Sequence, residues 1–359
     1  TTYGEAVTAP EVTLTEAVLA DPGFGSTFTD HMALATWTKG EGWHDGQVRA
    51  FGPLQISPAA AVLHYAQEVF EGMKAYRHED GSVWTFRPDR NAARMARSCE
   101  RLALPVLPEE DFVGAIRALV QADETWVPAY GTGETSLYLR PFMFASEAFL
   151  GVRPANEVTF SVIASPAGAY FSGGLTPVNL WVSQDYARAG EGGTGDAKCG
   201  GNYASSLLGK REAAENGADE VLFLDSETHT SIDELSGMNV FAITKDGRIL
   251  TPSLTGSILE GVTRDSILEL AKDLGLTPVE RRVTIEEWIE GCNDGTISEI
   301  FACGTAAVIA PVRRLVSHDE TIGPEDAAPG EVTMSIRKQL LDIQTGKAED
   351  THGWLTRLA

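Results

Sequence analysis

The chain is poor in cysteine and poor in positive charge, and it has no long apolar run. Four cysteines in 359 residues (Cys99, Cys199, Cys292 and Cys303) stand without C-x-x-C spacing, which argues against a disulfide framework or a zinc site. That usage suits a cytoplasmic protein. No stretch approaches the ~20 apolar residues needed to cross a bilayer. Residues Thr1 to Ala9 are polar and lack the basic-then-apolar order of a signal peptide. With 28 basic against 51 acidic residues the formal charge is −23, a surface that repels phosphate backbones and anionic lipid. Nucleic acid and membrane are therefore not expected as partners. An anionic substrate would need specific arginines to oppose the general field.

What is present is ordinary globular material, 43% hydrophobic and 22% charged, at a length that favours two domains. Ala75–His78 and Val83–Phe86, with a turn at Asp80-Gly81, predict a hairpin. A helix is expected from Pro88 or Asp89 up to the break at Pro105, carrying Ala93, Met95, Ala96 and Leu102, and a second runs through Phe112, Ile116 and Leu119. Strands are expected at Ser136–Ala145 and Val158–Ala164, giving an α+β unit over residues 1–168 with a mostly antiparallel sheet. The breaker-rich SPAGAYFSGG stretch from Ser165 to Gly174 marks a linker, placed at 169–178. Over 179–359, short strands (Asn179–Ser183, Glu220–Asp225, Val240–Thr244, Glu299–Cys303, Ala306–Pro311) alternate with helices. Those helices lie near Tyr203–Asn216, Val262–Leu274, Ile285–Gly291 and Met334–Thr345. No internal repeat or low-complexity tract appears.

Four segments could carry chemistry. Residues 192–203 read GGTGDAKCGGNY, a lysine between glycine pairs where backbone can approach a ligand closely; taken alone it equally suits a solvated loop. It is not a phosphate-binding G-x-x-x-x-G-K-[ST] loop. The segment SIDELSGMNVF from Ser231 places two carboxylates before an apolar strand, a pattern that turn acids also produce. In GSILEGVTRD, from Gly256, glycines and small polar residues lead into a helix whose free amides and dipole suit a phosphate, although an ordinary helix start has the same look. Gly304-Thr-Ala forms a further candidate tight turn.

Together, in order and at matching spacing, these segments resemble the branched-chain amino-acid aminotransferases of the class IV pyridoxal-phosphate enzymes. That class also holds D-amino-acid aminotransferases and aminodeoxychorismate lyase. The resemblance covers nearly the whole chain, through HYAQEVFEGMKAY from His64, NAARM from Asn91, SLYLRP from Ser136, AYFSGG from Ala169, the lysine loop, DELSGMN from Asp233 and GTAAVIAP from Gly304. It implies a two-domain mixed α+β and α/β fold, with a smaller N-terminal domain, a larger C-terminal one and pyridoxal 5′-phosphate at their interface. It implies that Lys198 holds the cofactor as a Schiff base and moves the substrate proton. Glu234 is implied to pair with the pyridine nitrogen, and Tyr203 to bond the ring hydroxyl. Arg94, the amides of Val262 and Thr263, and Thr305 are implied to hold the phosphate.

For the substrate the resemblance implies apolar walls from Tyr65, Phe70, Tyr170, Gly237 and Ala306. Tyr138 and the amides of Thr305 and Ala306 would hold the α-carboxylate, and Arg140 the distal carboxylate of glutamate or 2-oxoglutarate. It also implies a homodimer in which Val152, in the FLGVRP loop from Phe149, reaches the neighbouring subunit's pocket. Mammalian members carry a C-x-x-C redox pair where this chain has Ala307-Val-Ile-Ala310, so no such thiol switch is expected. The alternatives are the two sister activities of the class, which Tyr65, Phe70 and the Tyr138-x-Arg140 pair disfavour. A non-catalytic binding protein on the same scaffold is disfavoured by the joint presence of Lys198, Glu234 and Arg94.

Overall fold

A computed structural model describes residues 16–169 and 175–359. Residues 170–174, Tyr170 and the second half of the SPAGAYFSGG stretch, lie outside the described residues.

After the short helix α1 (Glu16–Ala20), the N-terminal half alternates strands and helices. Strands β1 (His31–Thr38) and β2 (Gly42–Ala50) form a hairpin that the sequence reading did not name. There follow α2 (Ala61–Tyr65), β3 (Glu68–Phe70), β4 (Met73–Arg77) and β5 (Val83–Phe86), with the expected turn between the last two. Next come α3 (Pro88–Arg101), α4 (Glu109–Ala122), β6 (Ser136–Ala145) and β7 (Glu157–Ala167).

Helix α3 starts where proline is tolerated, with Pro88 in its first turn and Asp89 complementing the dipole. Its buried face is Asn91, Ala92, Arg94, Met95, Ser98 and Cys99, whereas Ala93 is exposed. The expected apolar face is thus rotated by about one residue. The cause is polar: Asn91 and Arg94 are buried because a buried carboxylate receives them, which a hydrophobicity pattern cannot show. Helix α4 carries Glu109, Glu110 and Asp111 in its first turn and buries Phe112, Ala115, Ile116, Leu119 and Val120.

The second half holds β8 (Val178–Ser183), α5 (Gly200–Ala204), α6 (Leu207–Glu215), β9 (Glu220–Leu224), β10 (Ile232–Leu235), β11 (Asn239–Thr244) and β12 (Arg248–Pro252). It continues with α7 (Val262–Asp273), β13 (Thr277–Arg281), α8 (Ile285–Asp294), β14 (Ile297–Gly304), β15 (Val308–Val316), β16 (Thr321–Ile322), α9 (Glu331–Gln344) and β17 (Leu355–Arg357). The single helix expected near Tyr203–Asn216 is two, α5 and α6. The strand expected from Ala306 begins at Val308, because residues 305–307 make a turn and Val308 takes a φ of 62°.

The first sheet runs β17-β5-β4-β6-β7-β1-β2, with β3 also on β6, and all its pairings are antiparallel. The second runs β10-β9-β8-β15-β14-β11-β12-β13, mixing parallel pairs (β8 with β9 and β15, β12 with β13) with antiparallel ones. Two compact units result. One holds the described residues up to 169, Ala197–Gly200 and Asp342–Ala359, and the other holds 175–196 and Gly201–Leu341. The sequence reading places everything from 179 onward in one domain. Yet Ala197 and Cys199 are buried in the first unit's core, and β17 hydrogen-bonds β5, so both short stretches belong with the N-terminal half.

Candidate active site

In the first unit the lysine loop is tied down through its backbone. The Lys198 amide donates to Ser98 Oγ of α3 at 2.9 Å, and the Lys198 carbonyl accepts the Phe70 amide of β3 at 3.0 Å. Its Nζ lies 4.6 Å from the centre of the Phe70 ring. A lysine in a solvated loop would show neither anchor. The next glycine is needed for its size: the Gly200 amide donates to the Glu68 carboxylate, and a Cβ there would fall 2.4 Å from Glu68 Oε1.

Phe70 is a shared platform. The Arg140 guanidinium sits 4.8 Å from the same ring and donates to the Tyr138 hydroxyl at 3.2 Å. Tyr138 and Arg140, two apart on β6, project from one face of the sheet. The Tyr138 hydroxyl crowds Gly72 so closely that a Cβ would lie 2.1 Å from it. Lys198, Phe70, Tyr138 and Arg140 are therefore brought together, with Gly72 and Glu68 as neighbours.

Arg94, 4% exposed, is held by Glu71, which is fully buried. Arg94 Nε donates to Oε1 at 2.8 Å and Nη2 to Oε2 at 2.7 Å, and Asn91 Nδ2 adds a bond to Oε2 at 2.8 Å. A bidentate pair of this kind fixes the guanidinium plane. Tyr65 and Val152 are placed differently from the pocket group. Tyr65 is 40% exposed, its hydroxyl donating to the Leu150 carbonyl, and Val152 is 87% exposed.

In the second unit Glu234 is buried on β10. Arg188 Nη2 lies 2.6 Å from its Oε1, with both side chains 3% exposed. The Leu259 amide donates to Oε1 at 2.7 Å, and Asn239 Nδ2 reaches Oε2 at 3.4 Å. Arg188 Nη2 also donates to the carbonyls of Gly195 and Ser257, each at 2.7 Å. The neighbouring Asp233 accepts Ser257 Oγ at 3.1 Å, and burial raises its pKa against the lowering effect of that bond. Of the two carboxylates, Glu234 is the one paired with a buried cation.

Three loops meet beside Glu234. Asn239 Nδ2 also donates to the Leu259 carbonyl at 2.9 Å, and a Cβ on Gly261 would come within 2.1 Å of Asn239 Oδ1. Gly261 starts α7 without a side-chain cap, so the Val262 and Thr263 amides open the twelve-residue helix with no capping oxygen from that residue. A Cβ on Gly237 would touch the Tyr203 ring at 3.5 Å, and one on Gly304 would lie 3.5 Å from the Gly237 carbonyl. Tyr203 and Gly304 thus border Gly237, while Leu259 and Asn239 link Glu234 to the start of α7, all within one unit.

The residues missed at the sequence level are supporting ones: Glu68, Glu71, Gly72 and Arg188. The signal for the first two was a carboxylate on either side of Val69-Phe70 in an otherwise apolar strand. All four cysteines are free. Burial pushes the Cys99 thiol up to about 12, the Cys292 thiol up to about 11, and the Cys303 thiol higher still.

The model of the class IV amino-transferases matches residues 68–315. A protein of Streptomyces coelicolor described as a probable branched-chain-amino-acid aminotransferase is 56% identical, over 96% of this chain and 94% of its own length. The Escherichia coli branched-chain amino acid aminotransferase structure superposes with a TM-score of 0.76 at 29% identity, covering 92% of this chain and 100% of that one. The branched-chain aminotransferase of the thermophilic archaeon Thermoproteus uzoniensis, solved with norvaline, does so with a TM-score of 0.73 at 26% identity, covering 91% and 100%. The chain belongs to the class IV aminotransferases and, among them, to the branched-chain amino-acid aminotransferases.

Proposed function

We propose that the protein transfers the amino group of L-leucine, L-isoleucine or L-valine reversibly to 2-oxoglutarate, using pyridoxal 5′-phosphate and working in two ping-pong halves. The carrying observation is Lys198, whose backbone is fixed on both sides while its amine lies against Phe70. The residues present fit the cofactor. A buried carboxylate paired with Arg188 suits a protonated ring nitrogen, and the uncapped start of α7, with Thr263 buried beside it, suits a phosphate.

Pyridoxal phosphate supplies, when bound, a conjugated ring that accepts the electron pair left as the substrate Cα loses its proton. The protein supplies the rest. Lys198 would hold the cofactor, and its amine is the base that would move the proton at the substrate Cα. Glu234, ion-paired with Arg188 and bonded by the Leu259 amide, would face the ring nitrogen and hold a proton there. Tyr203 bonds the ring hydroxyl. Arg94, fixed in plane by Glu71, binds the phosphate with Thr305 and the amides of Val262 and Thr263. Tyr138 and the amides of Thr305 and Ala306 orient the α-carboxylate. Phe70, Gly237 and Ala306 would form apolar walls, with the exposed Tyr65 at the rim, and Arg140 would meet a distal carboxylate.

The assembly we propose is a homodimer in which Val152, on an exposed loop, completes the partner's pocket. The proposed compartment is the cytoplasm, where four unpaired thiols are at home. Borohydride reduction of the cofactor-loaded protein followed by peptide mass spectrometry tests the reading. Reduced cofactor on Lys198 is the expected result, and its absence from that peptide contradicts the assignment.

A further inference from the structure

An aminotransferase that takes both leucine and glutamate at one site must place a cation near an apolar side chain in one half-reaction and an anionic one in the other. Resting on the reading of Arg140 above, we propose that Glu68 is a built-in stand-in for the substrate's distal carboxylate. With no direct ion pair between them, it offsets the charge of Arg140 from the far side of the Phe70 platform while an apolar substrate is bound, and takes a proton from solvent when a dicarboxylate engages Arg140.

The geometry lies within the first unit. Glu68 and Phe70 are two apart on β3 and so share a face of that strand. Phe70 carries the Arg140 guanidinium over its ring at 4.8 Å and the Lys198 amine at 4.6 Å. Glu68 accepts the Gly200 amide two residues after Lys198, so its carboxylate is anchored on the same platform. The Arg140 Nε is buried with no hydrogen-bond partner, so its charge is only partly met by the Tyr138 hydroxyl.

The charged groups around Glu68 are few. Arg140 comes from β6 and Lys198 from the lysine loop. Helix α3, packed on β3, presents Arg94, which is committed to Glu71. Burial raises the Glu68 pKa, while the Gly200 amide and the charge of Arg140 pull it down. Withdraw Arg140 to another carboxylate, and the main Coulombic support of the anion goes while a like charge arrives; both push the pKa further up. The neutral carboxyl keeps a carbonyl oxygen for the Gly200 amide, and its new O–H can donate to the incoming carboxylate. The balance is one proton gained from solvent per dicarboxylate bound, with no other bond changed.

Two unreactive probes on the cofactor-loaded enzyme test this: glutarate for the dicarboxylate and 4-methylpentanoate for the branched monocarboxylate. Calorimetry in buffers of different ionisation heat counts protons, and any change common to both ligands cancels. Glutarate should take up a larger fraction of a proton, and its Kd should rise with pH by up to about tenfold per unit while the other stays flatter. Glu68→Gln, which keeps an oxygen for Gly200, should abolish that difference. It should also tighten glutarate roughly tenfold above pH 8, the effect of a one-unit linkage, and weaken 4-methylpentanoate.

Equal proton uptake for both ligands in the wild type overturns the proposal. So does a Glu68→Gln change that weakens both ligands alike, since that is the signature of a loop anchor. Arg140→Met separates the two layers. If glutarate affinity survives that change, the reading of Arg140 fails and this inference with it. If affinity falls but the proton difference persists in Glu68→Gln, only the role of Glu68 fails.

Discussion

A single side chain decides most at Lys198. With its backbone hydrogen-bonded on both sides, truncation should leave the loop in place and remove only the amine. Lys198→Ala is expected to fold as the wild type does and to lose at least ~10²–10⁴-fold in transamination, the range a proton shuttle supplies. Steady-state turnover within about tenfold of wild type removes Lys198 from the proton path. Glu234→Gln leaves the Leu259 amide its acceptor but faces Arg188 with a neutral amide, so kcat should fall more than cofactor affinity does. Arg94→Ala should do the reverse, raising the Kd for pyridoxal phosphate and leaving Glu71 buried without its cation. Equilibrium dialysis beside initial rates distinguishes the two, and the same pattern in both variants counts against the assigned roles. These residues were legible because chemistry sits in short motifs. Arg188 was not, since its partner Glu234 is distant in sequence and leaves no local pattern; Glu71 stood inside the HYAQEVFEGMKAY motif, but its partner Arg94 comes from another element.

At the scale of elements, legibility followed burial pattern. Strand β6, SLYLRPFMFA, and the hairpin around Asp80-Gly81 stand where the apolar runs and turn residues put them. The β1–β2 hairpin escaped because β2, GWHDGQVRA, is a half-exposed edge strand with two glycines and little alternation. The lysine loop's membership of the first unit escaped for another reason: its hydrogen bonds to Ser98 and Phe70 join residues far apart in sequence, which no local pattern records. The same tethers make the glycines informative. Gly261→Ala drives a Cβ to within 2.1 Å of Asn239 Oδ1 and must displace the start of α7 or the Asn239 amide. It should weaken cofactor binding well beyond any change in thermal midpoint. Gly114→Ala, on α4 where nothing lies within 4 Å of the added carbon, is the control and should leave binding unaltered. Equal effects of the two substitutions contradict a phosphate role for the α7 start.

The whole molecule shows an apolar patch on the first unit. Tyr65 and Leu150 are joined by a hydrogen bond, and Leu63, Leu150 and Val152 are strongly exposed. The homodimer proposed above covers such a patch, so sedimentation at micromolar concentration should give twice the chain mass, and Val152→Asp should raise KM for leucine or shift the protein toward monomer. A wild-type monomer with full activity contradicts that assembly. The buried thiols make a second whole-molecule test. Because burial holds Cys99 at about 12 and Cys292 at about 11, native protein at pH 8 should react slowly with Ellman's reagent and quickly once unfolded. Mild peroxide should form no reversible intramolecular disulfide, since Ala307 and Ala310 leave that segment without a thiol pair.

The central claim is the identity of the reaction, and the most direct measurement is one half of it. Cofactor-loaded enzyme mixed with excess L-leucine, and no oxo acid, should bleach its aldehyde-form absorption in a single exponential. It should also release about one equivalent of 4-methyl-2-oxopentanoate per subunit, as a ping-pong first half requires. D-alanine should leave the spectrum unaltered on that timescale. A protein that responds to D-alanine and not to L-leucine contradicts the account.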